Sequence, residues 1–350
     1  MPRPILMSAI MIRLSRAAWR RTAPLHRACG HHRACGAAFA TATGASPPKP
    51  RLSFASDVLL DPRGEGWLAR QDTDKWQRQW AEDGYIVVPD LVPTAADVDV
   101  YRGMYDDLVS GRIDAGAHRH DLGSNEAQKR DDDENVCQIM WPSDYFHGHW
   151  AGPLHVRTAA VARLLLEEDG EGDGDGDGDD PTVFDFDMLI YKAAHTDTAV
   201  PWHQDAGYWP SALPDTRAVS CWVALDDATV DNGCMWFVPG SHRGALLPHA
   251  PAAEGSHVLA AEGVGEEDGL PVPLAAGSAT FHAGRTLHYT RGNTTAHPRR
   301  AYITNYRPAA MVAWERAHGF DHGRAGMDAI DYSTVGSFEG REATIKQKDD

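Results

Sequence analysis

Cysteine is scarce in this 350-residue chain, and the few cysteines present form no pattern of bridges. Cys29 and Cys35 lie near the start, and the other three, Cys137, Cys221 and Cys234, are widely spaced. An odd, scattered set argues against a disulfide framework and fits a reducing compartment. The chain also lacks any apolar run near the roughly 18 residues that a membrane span needs. We therefore expect no membrane span.

Acidic residues are absent from the first 56 positions, which contain nine lysines or arginines. A helix through this stretch would have an apolar side with Met7, Met11, Leu14 and Ala18, and a basic side with Arg13, Arg16 and Arg20. That pattern is typical of an organellar transit peptide. We expect residues 1–56 to be such a transit peptide or disordered, with the mitochondrial matrix as destination and a plastid or the cytoplasm as alternatives.

Basic charge is scarce in the remainder, which has 24 of the 33 basic residues but all 50 acidic ones. An excess of acidic groups excludes a nucleic-acid surface, because phosphate neutralisation needs clustered lysine and arginine. The most acidic stretch, residues 167–181, alternates aspartate or glutamate with glycine and cannot form a core. We expect it to be a disordered insertion in a single domain spanning 57–320, followed by a C-terminal tail at 321–350.

Short apolar or alternating segments separated by glycine, proline and aspartate turns dominate the middle of the chain. The strand candidates are Val183–Tyr191, Ser220–Leu225, Met235–Val238, Ser278–His282 and Ala301–Tyr306. Helical patterns occur at 76–83, 94–109 and 156–168. Many short strands favour a mainly β fold with a jelly-roll (double-stranded β-helix, cupin-like) core and flanking α-helices.

His203 and Asp205 form a His-x-Asp pair that suits metal binding. In an extended strand, residues i and i+2 project from the same face, so this imidazole and carboxylate can converge on one ion. His195 and Asp197 repeat the pattern eight residues upstream. We prefer the later pair because Trp202 and other apolar residues flank it, whereas the earlier pair lies in a segment typical of a loop.

A second imidazole, from His282 or His288, would complete the set of ligands. These histidines are an even number of residues apart, so strand alternation does not choose between them. Two histidines and one carboxylate occupy one face of an octahedron and leave three positions open for substrate, cosubstrate or dioxygen. The lack of thiolate ligands disfavours a structural zinc site and favours catalytic, non-haem Fe(II).

Three ordered motifs, in Pro201–Trp209, Asn232–Arg243 and Gly277–Arg300, carry a resemblance to a known family. The sequence resembles the phytanoyl-CoA dioxygenase family of Fe(II)- and 2-oxoglutarate-dependent oxygenases over roughly residues 76–310. This resemblance implies a double-stranded β-helix with helices packed outside it.

The resemblance also implies a complete set of metal ligands. In the family, the arginine for 2-oxoglutarate follows the distal histidine by 11 residues. Counting from His288 reaches Arg299, whereas counting from His282 reaches Asn293. The implied catalytic metal ligands are His203, Asp205 and His288.

Arg299 and Arg300 are adjacent and point to opposite faces if the backbone is extended. We expect Arg299 to point inward, because its planar guanidinium matches the distal carboxylate of 2-oxoglutarate, and Arg300 to point outward. By resemblance, further cosubstrate contacts fall at Thr290, Trp222, Met188 and Gln138.

The family implies an Fe(II)- and 2-oxoglutarate-dependent dioxygenase that hydroxylates a small molecule with dioxygen, with ascorbate supporting activity. Desaturation or cyclisation could follow the same hydrogen abstraction. The alternatives are a catalytically inactive jelly-roll protein that binds a metal or ligand, and an iron enzyme that does not use 2-oxoglutarate. Basic residues between 112 and 130 are followed by acidic residues at 131–134, so no clear patch for coenzyme A is present. Substrate and oligomeric state stay open.

Overall fold

The computed structural model describes residues 48–56, 58–122, 135–167, 181–210, 213, 215–252 and 258–325. Most of the predicted transit peptide, nearly all of the acidic insertion and residues 326–350 of the predicted tail lie outside this part of the chain. The chain divides into two units between Pro47 and Pro48, and the described residues belong to the second.

Five helices and thirteen strands make up the regular structure of the described residues. The helices are α1 Glu65–Leu68, α2 Thr73–Asp83, α3 Ala95–Val109, α4 Pro153–Glu167 and α5 Ala309–Ala317. The strands are β1 Tyr85–Val88, β2 Arg119–Asp121, β3 Val136–Met140, β4 Thr182–Lys192, β5 Val200–His203, β6 Val219–Ala224, β7 Met235–Phe237, β8 His249–Pro251, β9 Leu259–Ala261, β10 Leu270–Val272, β11 Ala279–Ala283, β12 His288–Thr290 and β13 Arg299–Pro308. No helix in the described part of the chain combines the length and apolarity needed to cross a membrane.

The strands form a large and a small antiparallel sheet. The large sheet has seven strands in the order β1-β11-β6-β13-β4-β3-β2, and the small one has four in the order β10-β7-β12-β5. A third sheet pairs β8 with β9. Consecutive neighbours are far apart in sequence, as in a jelly-roll, and the predicted mainly β fold with flanking helices is confirmed.

One buried cluster joins the inner faces of the two sheets. Trp222 and Ile303 of the large sheet and Met235 and Phe237 of the small one belong to it. Since side chains alternate along a strand, the opposite face of the large sheet is free to pack on helices. A second cluster there includes Tyr101, Leu108, Leu154, Leu189 and Tyr302. The helices thus brace the large sheet from outside, and the interior between the sheets is left for the site.

Helix α2 shows how local sequence sets this bracing. The carboxylate of Asp72 accepts a hydrogen bond from the backbone N–H of Lys75, which caps the first turn. Trp76 and Trp80, one turn apart, are both buried. The helix ends at Gly84, whose φ of 76° lies in the left-handed region that glycine adopts without strain. The chain then turns directly into β1.

Candidate metal and cosubstrate site

Two neighbouring strands and a short turn bring the three proposed metal ligands together. His203 ends β5 and lies opposite His288, the first residue of β12. The strand ends at His203, two residues earlier than the same-face argument assumes, and Asp205 begins a 3-10 turn. Gln204 stays extended, with φ −116° and ψ 131°, so the carboxylate still turns toward the imidazoles. Ligand atoms of His203, Asp205 and His288 all lie within 4.8 Å of one another.

Backbone carbonyl groups fix the orientation of both histidine ligands. Nδ1 of His203 lies 2.7 Å from the Pro201 carbonyl oxygen, and Nδ1 of His288 lies 2.9 Å from that of Thr286. Each Nδ1–H therefore donates to a carbonyl, and the lone pair on Nε2 is available to a metal. The two Nε2 atoms lie 3.8 and 3.5 Å from Oδ1 of Asp205.

Burial and mutual charge set the ionisation of these groups. Burial lowers the pKa of His203, and burial together with the neighbouring histidines lowers the pKa of His288 well below its ordinary value. Burial opposes ionisation of Asp205, but the nearby histidines outweigh it and hold the pKa of this carboxyl far below its usual range. Neutral imidazoles and an ionised carboxylate are the forms that bind a metal.

A hydrogen-bonded relay on the large sheet holds the carboxylate of Asp205. Ser220 on β6 donates to its Oδ2 at 2.5 Å, and Nδ2 of Asn305 on β13 donates to the Ser220 hydroxyl at 2.8 Å. A hydroxyl has one proton to donate, so the Asn305 contact directs that proton to Asp205. Sequence reasoning did not single out Ser220 or Asn305, because only a tertiary contact distinguishes them from other polar strand residues.

His282 is a third imidazole beside the ligands. Its Nε2 lies 3.3 Å from Oδ2 of Asp205, and its ring centroid is 4.3 Å from that of His288. The other carboxylate oxygen, Oδ1, faces the two proposed ligands. His282 therefore lies behind the carboxylate, in agreement with the choice of His288 as the distal ligand.

The predicted cosubstrate arginine is buried and forms no ion pair with any of the described residues. Arg299 has 1% of its surface exposed, and its guanidinium lies 5.0 Å above the Trp222 ring. Its Nε and Nη1 have no hydrogen-bond partner in the structure. Burial lowers the pKa of Arg299 to about 10, which still leaves it charged at neutral pH. A buried cation with unsatisfied donors calls for an anionic ligand.

A buried lysine lies next to this arginine. Lys192 is opposite Arg299 in the pairing of β4 with β13, and its Nζ donates to the Thr290 hydroxyl at 3.0 Å. It donates a second hydrogen bond to the Arg291 carbonyl. Burial, and then the charge of Arg299, lower the pKa of Lys192 well below its ordinary value. The sequence offered one signal that we did not use: a lysine directly follows the apolar run Met188–Tyr191 at the end of this strand.

The other predicted cosubstrate residues line the same cavity. Gln138, Met188, Trp222 and Thr290 all contribute to its wall, and Nε2 of Gln138 lies 3.0 Å from the Met188 sulfur. The cavity has a volume of about 220 Å³ and also reaches the three proposed metal ligands and Arg299. One continuous space thus joins the metal and cosubstrate groups.

The sequence offered two alternatives to these residues, Arg300 in place of Arg299 and His195 in place of His203, and both lie outside the cavity. Arg300 points away from the cavity and forms a bidentate contact with Asp226, donating to both carboxylate oxygens. His195 lies in a turn with φ 54°, and its backbone pairs with Thr295. Neither is among the residues that line the cavity.

The residues present fit iron(II) and 2-oxoglutarate. Two neutral imidazoles and one carboxylate are the facial set that Fe(II) accepts. The unpartnered guanidinium of Arg299, with the hydroxyl of Thr290 on the same wall, suits a carboxylate. The fold and the site together define a class, the jelly-roll oxygenases with a two-histidine, one-carboxylate centre and an anion-binding arginine.

The chain belongs to the phytanoyl-CoA dioxygenase (PhyH) family, whose model matches residues 80–301. Phytanoyl-CoA dioxygenase domain-containing protein 1 from Bos taurus is 32% identical over 133 residues, which are 36% of this chain and 45% of that protein. A methylphosphonate hydroxylase from Gimesia maris is 28% identical over 148 residues, covering 40% and 54%. The chain thus spans about half the length of the curated relatives it matches.

Solved structures give a longer match. The crystal structure of EvdO2 from Micromonospora carbonacea var. aurantiaca complexed with 2-oxoglutarate aligns with a TM-score of 0.52 and 27% identity. The alignment covers 66% of this chain and 89% of that one. The fold is therefore shared with a protein that has been seen with 2-oxoglutarate bound.

Proposed function

We propose that the chain is an Fe(II)- and 2-oxoglutarate-dependent dioxygenase that hydroxylates a small molecule. The observation that carries this proposal is one cavity bordered both by His203, Asp205 and His288 and by the unpartnered guanidinium of Arg299. A metal-storage protein would have no use for a buried cation at the far end of its metal cavity. Family membership supports the same activity.

Each residue has a defined task in this proposal. His203 and His288 present their Nε2 atoms to iron because backbone carbonyls hold the other ring nitrogens. Ser220 holds Asp205 in position for the same ion. Arg299, with Thr290 beside it, binds the distal carboxylate of 2-oxoglutarate through charge-assisted hydrogen bonds. Iron(II), 2-oxoglutarate and dioxygen together would supply the oxidation of a C–H bond, with succinate and carbon dioxide as co-products.

The substrate of this proposal is small. The cavity volume of about 220 Å³ is below the roughly 300–1,000 Å³ of typical small-molecule sites, and it must hold the cosubstrate as well. Apolar and aromatic walls keep bulk water from the reacting bond. Desaturation or ring closure could begin with the same hydrogen abstraction, and product analysis separates them from hydroxylation.

We also propose that the enzyme acts in the mitochondrial matrix, with a plastid or the cytoplasm as the alternatives. The support is the basic, acid-free composition of residues 1–56. Imaging a fluorescent protein fused behind these residues tests this point separately from the chemistry. A diffuse cytoplasmic signal would contradict it.

Succinate formation is the direct test of activity. The full chain, supplied with Fe(II), 2-oxoglutarate, ascorbate and air, is expected to release succinate slowly alone and faster with a substrate from a pooled metabolite extract. A His288→Ala variant provides the matched control, because it removes one metal ligand and leaves Arg299 in place. Iron binding without succinate under any of these conditions would favour the alternative, an inactive jelly-roll binding protein.

A further inference from the structure

The cavity has a second end, remote from Arg299. Along the paired strands β4 and β13, Arg299 lies opposite Lys192 and Asn305 lies opposite Phe186. These two rungs are about 20 Å apart at the usual rise per residue. Asn305 holds Ser220 of the metal site, so the wall at Phe186 lies at the metal end of the cavity and farthest from the cosubstrate arginine.

Apolar side chains form most of this distal wall. Met140 packs with Phe186, Phe320 contacts the His322 ring, and Trp209 packs in one cluster with Phe320; all of them line the cavity. His322 is the exception: apart from the metal ligands, His282 and Arg299, it is the one charged or imidazole side chain that lines the cavity among the described residues.

An ion-pair network places His322 at this wall. Its Nε2 lies 3.1 Å from Oδ2 of Asp185 on β4 and 3.3 Å from Oε2 of Glu315 on α5. Its ring stacks on Phe186 with centroids 4.1 Å apart, and its backbone carbonyl accepts a hydrogen bond from the indole of Trp141 at 3.2 Å. The backbone φ of 51° lies in a region that residues other than glycine rarely adopt. Tertiary contacts therefore hold this side chain in place.

When His322 is protonated, its positive charge is not balanced within the network. Arg307 pairs with both Asp185 and Glu315, and Arg316 also pairs with both. Two guanidinium groups thus balance two carboxylates. An imidazolium at His322 adds a net positive charge, and no described residue forms a hydrogen bond or ion pair with its Nδ1.

A second metal site does not explain this cluster. Ligand atoms of Asp185, Glu315 and His322 lie within 4.8 Å of one another, which is close enough for a metal. Both carboxylates are already ion-paired to Arg307 and Arg316, however, and a metal cation would have to displace these guanidinium groups or be repelled by them. The cluster is better explained as a support for one cationic ring.

We infer that the substrate has an apolar body and one anionic group, a carboxylate or phosphonate, which accepts a hydrogen bond from Nδ1–H of His322. This inference rests on the proposed function and deepens it by assigning the substrate class. The apolar wall holds the body of the molecule between the metal site and His322. The anion completes the charge balance of the network.

The ionisation of His322 agrees with this assignment. Burial alone would lower the pKa of His322, but the charge and hydrogen bond of Asp185 and the hydrogen bond and charge of Glu315 outweigh it and raise that pKa. Arg307 and Arg316 are the other charged groups packed on the cluster, and they already pair with the two carboxylates. The imidazolium is present at low pH and is lost as the pH rises through the raised value.

Matched ligands test the inference without turnover. The probes are 4-phenylbutyrate, 3-phenylpropylphosphonate, methyl 4-phenylbutyrate and 4-phenyl-1-butanol. Binding to the full chain is measured by calorimetry under nitrogen, with Fe(II) and excess 2-oxoglutarate, so that Arg299 is already occupied. The two anions are expected to bind at least about tenfold more tightly than the ester and the alcohol, because the neutral probes cannot form a hydrogen bond between two charged groups. The difference in affinity between the two anions shows whether a carboxylate or a phosphonate fits better.

His322→Gln is expected to abolish this preference, and His318→Gln is the control. His318 is an exposed imidazole four residues away that stacks on Trp314 and does not line the cavity. If the His322→Gln variant loses stability, the pH dependence of probe binding to the wild-type protein replaces it as the test. The preference for anionic over neutral probes should then shrink as the pH rises, because His322 loses its proton while the probes stay ionised. Equal binding of acid and ester, or a preference that survives His322→Gln in a folded protein, overturns the inference. Succinate release by the same holoenzyme without substrate reports separately on the proposed function.

Discussion

Lys192 and Arg299 face each other across the pairing of β4 and β13, and both are buried. No carboxylate of the described residues forms an ion pair with either side chain. Lys192 donates to Thr290, so the hydroxyl proton of Thr290 is free to donate into the cavity. The Arg299 guanidinium, the buried Lys192 amine and the directed Thr290 hydroxyl therefore favour binding of a carboxylate at this end of the cavity.

We expect Lys192→Met to weaken 2-oxoglutarate binding by about tenfold, because the substitution removes a charge and leaves the Thr290 hydroxyl undirected. Calorimetry under nitrogen with Fe(II) measures the affinity. Wild-type affinity should also fall as the pH rises through the lowered pKa of Lys192, because the lysine then loses the proton that gives it a positive charge. An unchanged affinity in the variant would leave Lys192 with a purely structural role.

Arg299→Ala should raise the 2-oxoglutarate concentration required for half-maximal succinate formation much more than Arg300→Ala does. Arg299 borders the cavity, whereas Arg300 pairs with Asp226 and Asp106 outside it. Removing a bidentate guanidinium partner of a carboxylate is expected to cost about tenfold to a hundredfold in affinity. Equal effects of the two substitutions would contradict the assignment of Arg299 to the cavity face of the strand and Arg300 to the opposite face.

The pattern of strands and the order of the motifs were readable from the sequence because alternation and turn residues are local signals. The predicted segments Val183–Tyr191 and Ser220–Leu225 correspond to β4 and β6 with small shifts of their ends. The period of an extended strand predicted that Arg299 and Arg300 point to opposite faces, and the family resemblance implied that Arg299 is the inward one. These features depend on a few neighbouring residues.

Contacts between distant segments were not readable in the same way. The relay from Asn305 through Ser220 to Asp205 joins three elements, and no local pattern marks its members. His322 lies just beyond the predicted domain boundary at residue 320, in a segment without periodicity, yet it reaches the cavity. Its position depends on Asp185, which is 137 residues away in the sequence, so only the folded chain reveals the pairing.

Asp205→Ala should abolish both iron binding and succinate formation, whereas Asp197→Ala should leave iron affinity nearly unchanged. Asp205 approaches both histidine ligands within 3.8 Å, and Asp197 is not part of any metal-binding group among the described residues. Iron content after anaerobic reconstitution and gel filtration gives the comparison. Loss of iron from the Asp197 variant would mean that the upstream pair forms the site.

Ser220→Ala is expected to weaken iron binding by about tenfold to a hundredfold, because groups that orient a metal ligand commonly contribute that much to affinity. The substitution removes the hydroxyl that donates to Oδ2 of Asp205 and leaves the carboxylate free to rotate away from the histidines. A competition assay with a calibrated chelator measures the change. Thr304→Ala serves as the control for general destabilisation, because it also removes a buried hydroxyl, but from a residue that does not line the cavity.

The Asn305→Ala variant tests whether Asn305 acts through Ser220. If it weakens iron binding, and the Ser220→Ala/Asn305→Ala double variant binds iron no more weakly than Ser220→Ala alone, the two residues act as one relay. Additive losses of affinity would show that they act independently.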